Sequence, residues 1–196
     1  IGENVIAYLK DCYEKKEPVS EATHNAMLRY FKEYLCVGGL PYVVSRFVET
    51  NDMNVVWQEQ QDILEEYKDD FGKHLDENEN EEIDRTLLGR INRVFDSIPA
   101  QLAKENNKFV YSQLEKKGRS ENYQTAIQWL YDCGIINICH NLTNIAEPLE
   151  GYKIENTFKI YVQDSGLFVA MLERGTAAKI LSGDLGVYKG AIYENI

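Results

Sequence analysis

Lys116, Lys117 and Arg119 stand directly ahead of a helical stretch, about residues 120 to 133, whose polar side presents Glu121, Asn122, Gln124, Thr125 and Gln128. Lysine and arginine anchor phosphates, and Asn and Gln on a helix read adenine edges, so this grouping has the chemistry of a DNA-docking element. The helix itself holds no Arg or Lys, and helix-turn-helix units also serve as protein-packing modules. Both readings stand on the residues. Elsewhere the reactive side chains are dispersed. Cys12, Cys36, Cys133 and Cys139 lack CxxC spacing, and His24, His74 and His140 are far apart, which predicts reduced, mostly buried thiols rather than a zinc centre, a disulfide framework or a hydrolytic triad. Asn141-Leu142-Thr143 fits the glycosylation pattern, which has meaning only in a secreted chain. No GxxxxGK(S/T) occurs, so the backbone cradle and the lysine that reach nucleotide phosphates are missing, and ATP hydrolysis by this stretch is not expected.

The frame for these residues is an ordinary globular composition, 44% apolar and 27% charged, able to bury one sizeable core or two small ones. No apolar run approaches the roughly 20 residues of a membrane span, and the start has neither a basic nor an apolar signal region. A cytoplasmic chain with no membrane contact is the expectation. The net charge of −11 sits unevenly: residues 1–83 carry 19 acids against 8 bases, whereas 84–163 carry 9 against 10. An acidic N-terminal part is repelled by phosphate backbones, and the near-neutral middle still has room for a local basic stripe.

Mainly α structure is expected. Residues 3–14 and 21–36 have helical spacing, with Ser20 as an N-cap, and pair as antiparallel helices. Trp57, Leu64, Tyr67, Phe71 and Leu75 line one face of a long helix whose other faces are acidic. Residues 76–84 read as a polar loop and the acidic first turn of a helix carrying Ile83, Leu87, Leu88, Ile91, Val94, Phe95 and Ile98, which Pro99 should kink or restart. A short helix over 109–117, a turn at 118–120 and a helix closed by Gly134 follow. Two β-rich runs, 135–139 and 158–162, flank a connection containing Pro148 and Gly151 and suit a hairpin, and Asp164 is placed to cap the next helix. Three helices plus a hairpin make a winged helix, preceded by a helical bundle. The tyrosines, among them Tyr111, Tyr123, Tyr131, Tyr152 and Tyr161, fall on the buried periodicity.

The segments "GGLPYVVSRFVET", "FDSIPAQLAKENNKFVYSQLEKKGRSENYQTAIQWLYDCGII", "PLEGYKIENTFKIYVQDSGLFVAML" and "YKGAIYEN" resemble, in order and spacing, the region following the P-loop domain in a large family of prokaryotic AAA-type ATPases. The resemblance runs from about Val5 onward. It implies a helical lid over residues 1–80, a winged-helix domain over 81–175, and in 176–196 a linker and the start of a domain resembling PD-(D/E)XK nucleases. Together with the opening at Ile1 and the stop at Ile196, it makes the chain read as a piece of a longer protein. In that family Gly38, Gly39 and Pro41 correspond to a turn set against nucleotide, and Glu194 to one ligand of a metal site at the head of a helix. The plainer reading of "GGLP" is that Gly38-Gly39 end one helix and Pro41 begins the next, and that of Glu194 is an exposed helix glutamate. No cofactor is implied for this stretch; ATP and Mg²⁺ belong to the parent. The implied role is non-catalytic coupling of the ATPase domain to a C-terminal effector within one polypeptide, with DNA binding by the winged helix as the alternative. Any homo-oligomer is expected to reflect truncation.

Overall fold

The computed structural model describes residues 2–73, 81–104, 108–116, 118–184 and 186–196, the side chains of 81–84 and Val187 excepted. The element order starts from local signals. After α1 (Glu3–Lys15), the Ser20 hydroxyl accepts from the Thr23 amide at 3.3 Å and opens α2 (Glu21–Val37). Gly38 closes α2 with φ +78°, and Pro41 sits at the start of α3 (Pro41–Thr50), where its missing N–H costs nothing. The long α4 (Met53–Lys73) follows, with Leu64 and Phe71 buried on its apolar stripe. Leu75, His74 and most of the acidic run 76–84 lie outside the described residues.

Next come α5 (Glu81–Ala103), α6 (Ser120–Asp132), β1 (Ile136–Leu142) and β2 (Lys153–Val162), then α7 (Ser165–Ala170), α8 (Thr176–Ser182) and α9 (Lys189–Glu194). The chain is thus mainly helical with one two-stranded antiparallel sheet. The strands pair in regular register from Ile136↔Val162 to His140↔Phe158, and the register then shifts so that Asn141 faces Ile154. Both strands run farther than their apolar runs suggest. No helix among the described residues is long and apolar enough to cross a membrane.

Two expectations from local rules are corrected. Helix α5 is not restarted at Pro99; it continues to Ala103. Ile98 and Leu102 on either side are buried, and Gln101 clamps both backbone groups of Val110, at 2.9 and 3.1 Å. A proline inside a helix costs about 3 kcal/mol, which the burial of two such side chains, at about 1.5–3 kcal/mol each, offsets. Pro99→Ala is therefore expected to raise stability by about 1–2 kcal/mol, after returning up to about 1 kcal/mol of unfolded-state entropy; a higher urea midpoint at unchanged m-value is the readout.

The second correction is the short helix expected over 109–117, which shrinks to a 3₁₀ turn at Tyr111–Gln113. The Phe109 amide donates to the Phe158 carbonyl at 2.7 Å while Gln101 holds Val110, and these bonds pull the start of the segment into extended form. Gly118 then folds back so closely that a Cβ there would overlap the Tyr111 carbonyl.

One core joins α2, α4, α5, α6, both strands and α7–α9, with a smaller cluster of Val37, Val43 and Val56 under α3. Phe71 meets Phe95 and Trp129 edge to face at 5.7 and 5.3 Å, tying α4, α5 and α6 together. Ile180, Ala191 and Ile192 from the last segment pack into the same core. Among the named tyrosines, Tyr123 is buried and Tyr111, Tyr152 and Tyr161 are half-buried, but Tyr131 is exposed on the outer face of α6, so it does not follow the buried periodicity.

Candidate functional site

The densest polar arrangement lies where α2 ends. Gly38 is buried, and Gly39 and Pro41 are exposed. The Gly39 amide donates to Asp164 Oδ2 at 2.6 Å, and the Leu167 amide donates to Asp164 Oδ1 at 2.9 Å. One carboxylate thus caps α7, as the sequence indicates, and also grips a turn 125 positions away. From α4, Gln60 Nε2, on a residue 2% exposed, donates to the Cys36 and Val37 carbonyls at 2.9 and 3.2 Å, supplying the end of α2 with donors it lacks. Gly166 is required because a Cβ there would lie 2.5 Å from both Gln60 Nε2 and the Val37 carbonyl oxygen. Gln61 Nε2 similarly satisfies the Ala170 carbonyl at 2.7 Å, and Gln163 Nε2 donates to the Tyr67 hydroxyl at 2.8 Å.

The plainer reading of "GGLP" as a helix end and a proline-led start matches this geometry. The close approach that glycine permits at position 38 is occupied by Asp164 from within the chain. The carboxylate lies on the Gly38 side of the turn, while Gly39 and Pro41 are exposed on its outside. Neither Gln60 nor the link from Asp164 to Gly39 is signalled by spacing; the only sequence hint was the conjunction of a Gly-Gly-x-Pro turn with a lone Asp-Ser-Gly.

The other predicted residues fall in two places. Lys116 and Arg119 are exposed ahead of α6, Asn122 is half-buried, and Gln124 and Gln128 are exposed, with Gln128 Nε2 donating to Asp132 Oδ1 at 2.7 Å. Lys117 lies outside the described residues. Gln124 and Gln128 line a cavity of about 600 Å³ between α6 and the hairpin, with Trp129, Ile138, His140 and Phe158. At its mouth Lys153 Nζ lies 3.1 Å from Glu150 and 3.9 Å from Glu155; the Glu150 hydrogen bond, helped by the charges of both acids and opposed by desolvation, holds its ammonium above the usual lysine range.

Glu194 does not open a helix but ends α9, pairing with Lys159 Nζ at 2.7 Å. Its neighbour Asn195 turns inward to bond both backbone groups of Val162, at 2.8 and 3.1 Å, and this fixes the helix end against β2. A cation at Glu194 would compete with Lys159, and among the described residues no group of three or more His, Cys, Asp or Glu side chains is placed to hold a metal. The carboxylate alone therefore does not fit a divalent ion.

The cysteines are free, and only half of them are buried: Cys12 and Cys36 are, whereas Cys133 and Cys139 are exposed because they fall at the end of α6 and on the outer face of β1. Burial, with Glu33 adding, pushes the Cys36 thiol up to about 12 from its ordinary 9.0. The folded state holds that proton more tightly, so its contribution to stability is complete below about pH 9 and is lost as pH rises toward 12. Burial and the neighbouring Asp132 push the Cys133 thiol up as well, so at pH 8 a chromogenic disulfide is expected to label Cys139 first, Cys133 more slowly, and to spare Cys36 until urea unfolds the protein, as mapped by peptide mass.

No curated protein and no solved structure matches the chain. Residues 28–178 match the family described as Domain of unknown function (DUF8612). That match takes in the second half of α2, the turn at Gly38–Gly39, α6, the hairpin and Asp164, and because it covers more than half of the sequence, the chain belongs to that family.

Proposed function

We propose that this chain is a non-catalytic coupling segment of an AAA-type ATPase, passing the nucleotide state of a P-loop domain to a C-terminal effector. The helices α1–α4 serve as the lid, and α5, the extended residues at Phe109, α6 and the hairpin serve as a winged helix. ATP and Mg²⁺ are handled by the P-loop domain of the parent. The observation that carries the reading is the Asp164 bridge. A carboxylate that holds the turn after α2 and caps the helix after the hairpin makes displacement of one a displacement of the other, and Gln60 locks the same turn to α4. Packed elements of this kind shift as units rather than deform continuously. The resemblance in "GGLP" and "QDSGL", which are the two ends of that bridge, supports the same reading.

Hydrogen exchange on the full-length protein carrying this segment is the test. ATP and ADP states are expected to differ in protection at Gly39 and at residues 164–168, and Asp164→Ala is expected to abolish the difference beyond β2 while leaving ATP hydrolysis in place. Equal protection in both nucleotide states would overturn the coupling role.

A second reading, DNA docking by α6, is favoured by the exposure of Lys116, Arg119, Gln124 and Gln128. Fluorescence anisotropy of a labelled duplex addresses it: affinity that falls steeply with salt and disappears in the triple variant Lys116→Glu, Lys117→Glu, Arg119→Glu is the expected signature, and absence of binding at low salt removes this reading.

A further inference from the structure

Between the start of α4 and the connection from α7 to α8 lies a cavity of about 240 Å³. Val56, Val169 and Gln60, all buried, form its floor. Trp57 and Leu181 are half-buried at its sides, and Glu173 and Arg174 stand exposed at its rim. Drug-sized ligands fill cavities of roughly 300–1,000 Å³, so this one suits a smaller molecule, about the size of one amino acid.

Three polar groups of the cavity have no partner. Gln60 Nε2 donates to the Cys36 and Val37 carbonyls, which fixes the other corner of that amide as an oxygen. The oxygen accepts no hydrogen bond among the described residues. Nor is it sealed off. The fully enclosed side-chain nitrogens and oxygens without a partner among the described residues are His140 Nδ1 and Ser165 Oγ, so the Gln60 oxygen is reached from the cavity that its residue lines. At the rim, the Arg174 guanidinium lies over the Trp57 ring at 5.0 Å. Such stacking uses the face of the guanidinium and leaves the N–H fork in its plane free for a carboxylate. Glu173 and Arg174 form no ion pair among the described residues, with each other or with any third group.

We infer that this cavity binds a free aromatic amino acid whose ring bears a hydroxyl. The carboxylate meets Arg174, the ammonium meets Glu173, the ring lies between Trp57 and Leu181, and the hydroxyl donates to Gln60 Oε1. The charges decide the head of the ligand. A carboxylate without an ammonium would face Glu173, and an amine without a carboxylate would face Arg174, whereas a zwitterion engages both. The floor decides its tail. A wholly apolar side chain would cover the Gln60 oxygen and displace its water without supplying a donor, and a buried acceptor left in that state is costly. Trp57 and Gln60 lie one turn apart on α4, with Gln60 the more deeply buried, which sets rim and floor at opposite ends of the ring. The inference goes beyond the coupling role and does not depend on it.

The probe is isotope-labelled L-tyrosine in equilibrium dialysis against the intact chain, and saturable binding below about 1 mM is expected. L-Phenylalanine, tyramine and 3-(4-hydroxyphenyl)propionate lack the hydroxyl, the carboxylate and the ammonium in turn. Each is expected to compete at least tenfold more weakly than unlabelled L-tyrosine. Arg174→Met keeps the stem on Trp57 but removes the charge, and is expected to weaken L-tyrosine at least tenfold without weakening tyramine. Glu173→Gln is expected to weaken L-tyrosine without weakening the propionate. Both residues are exposed, and the ligand series carries the test on the unaltered protein should either variant fold poorly. No saturable binding of L-tyrosine, equal competition by phenylalanine or tyramine, or unchanged affinity in a folded Arg174→Met protein would each overturn the inference.

Discussion

Gly38→Ala is expected to lower the unfolding free energy by about 3–5 kcal/mol, far above the usual effect of adding one methyl group. Two costs combine. The residue lies at φ +78°, ψ −161°, a region open essentially to glycine, where a side chain costs about 1–3 kcal/mol. The added Cβ would also lie 2.6 Å from Asp164 Oδ2 and overlap the rest of that carboxylate. Asp164 has no room to retreat, because its two oxygens already hold the amides of Gly39 and Leu167. A double-mutant cycle separates the two costs. Asp164→Ala removes the overlap but not the backbone strain, so the double variant should lose distinctly less than the sum of the single losses. Additivity within about 0.5 kcal/mol in urea unfolding would show that the two residues do not interact.

Asp164→Ala alone is expected to cost about 2–4 kcal/mol. Losing the cap of α7 accounts for about 1 kcal/mol, and leaving the Gly39 amide without a partner in a partly buried setting adds about 1–3 kcal/mol. Asp164→Asn distinguishes capping from bridging. An amide side chain has one acceptor oxygen and turns an NH₂ toward the second donor, so it can serve Leu167 or Gly39 but not both. It should recover roughly half of the loss. Amide exchange reads the two ends separately, since Gly39 and Leu167 lose protection together in the alanine variant and one at a time in the asparagine variant. If Asp164→Asn retained full stability, the carboxylate would be capping α7 only.

Both predictions rest on a contact that could not be read along the chain, and the reason is distance. Signals that act within one turn were legible. Ser20 caps α2, Gly134 at φ +70° closes α6, Pro41 begins α3, and Asp164 caps α7, because in each case donor and acceptor are a few residues apart and the side chain's preference decides the geometry. The apolar alternation of the two β-rich runs likewise fixed a hairpin. Where the outcome depended on partners far away, local rules failed. Pro99 should kink or restart a helix by its own chemistry, yet burial of Ile98 and Leu102 and the Gln101 clamp on Val110 carry α5 on to Ala103 without a restart. The stretch after Phe109 has helical residues, yet a backbone bond to Phe158 draws its first residues into extended form.

The candidate sites divide in the same way. The sequence by itself determined a mainly helical chain with one hairpin, the polar side of α6 with Gln124 and Gln128, the basic residues Lys116 and Arg119 ahead of it, and the glycine-proline turn after α2. These follow from period, charge and turn chemistry, which are properties of neighbours. Only the tertiary structure decided that the turn's glycines face Asp164, that Gln60 serves the end of α2, that Glu194 pairs with Lys159, and that Asn195 closes the edge of β2 at Val162. Each of these joins residues tens of positions apart. Such a pairing exists only after the core has brought the elements together, because the free energy that holds it comes from burial of both partners at once.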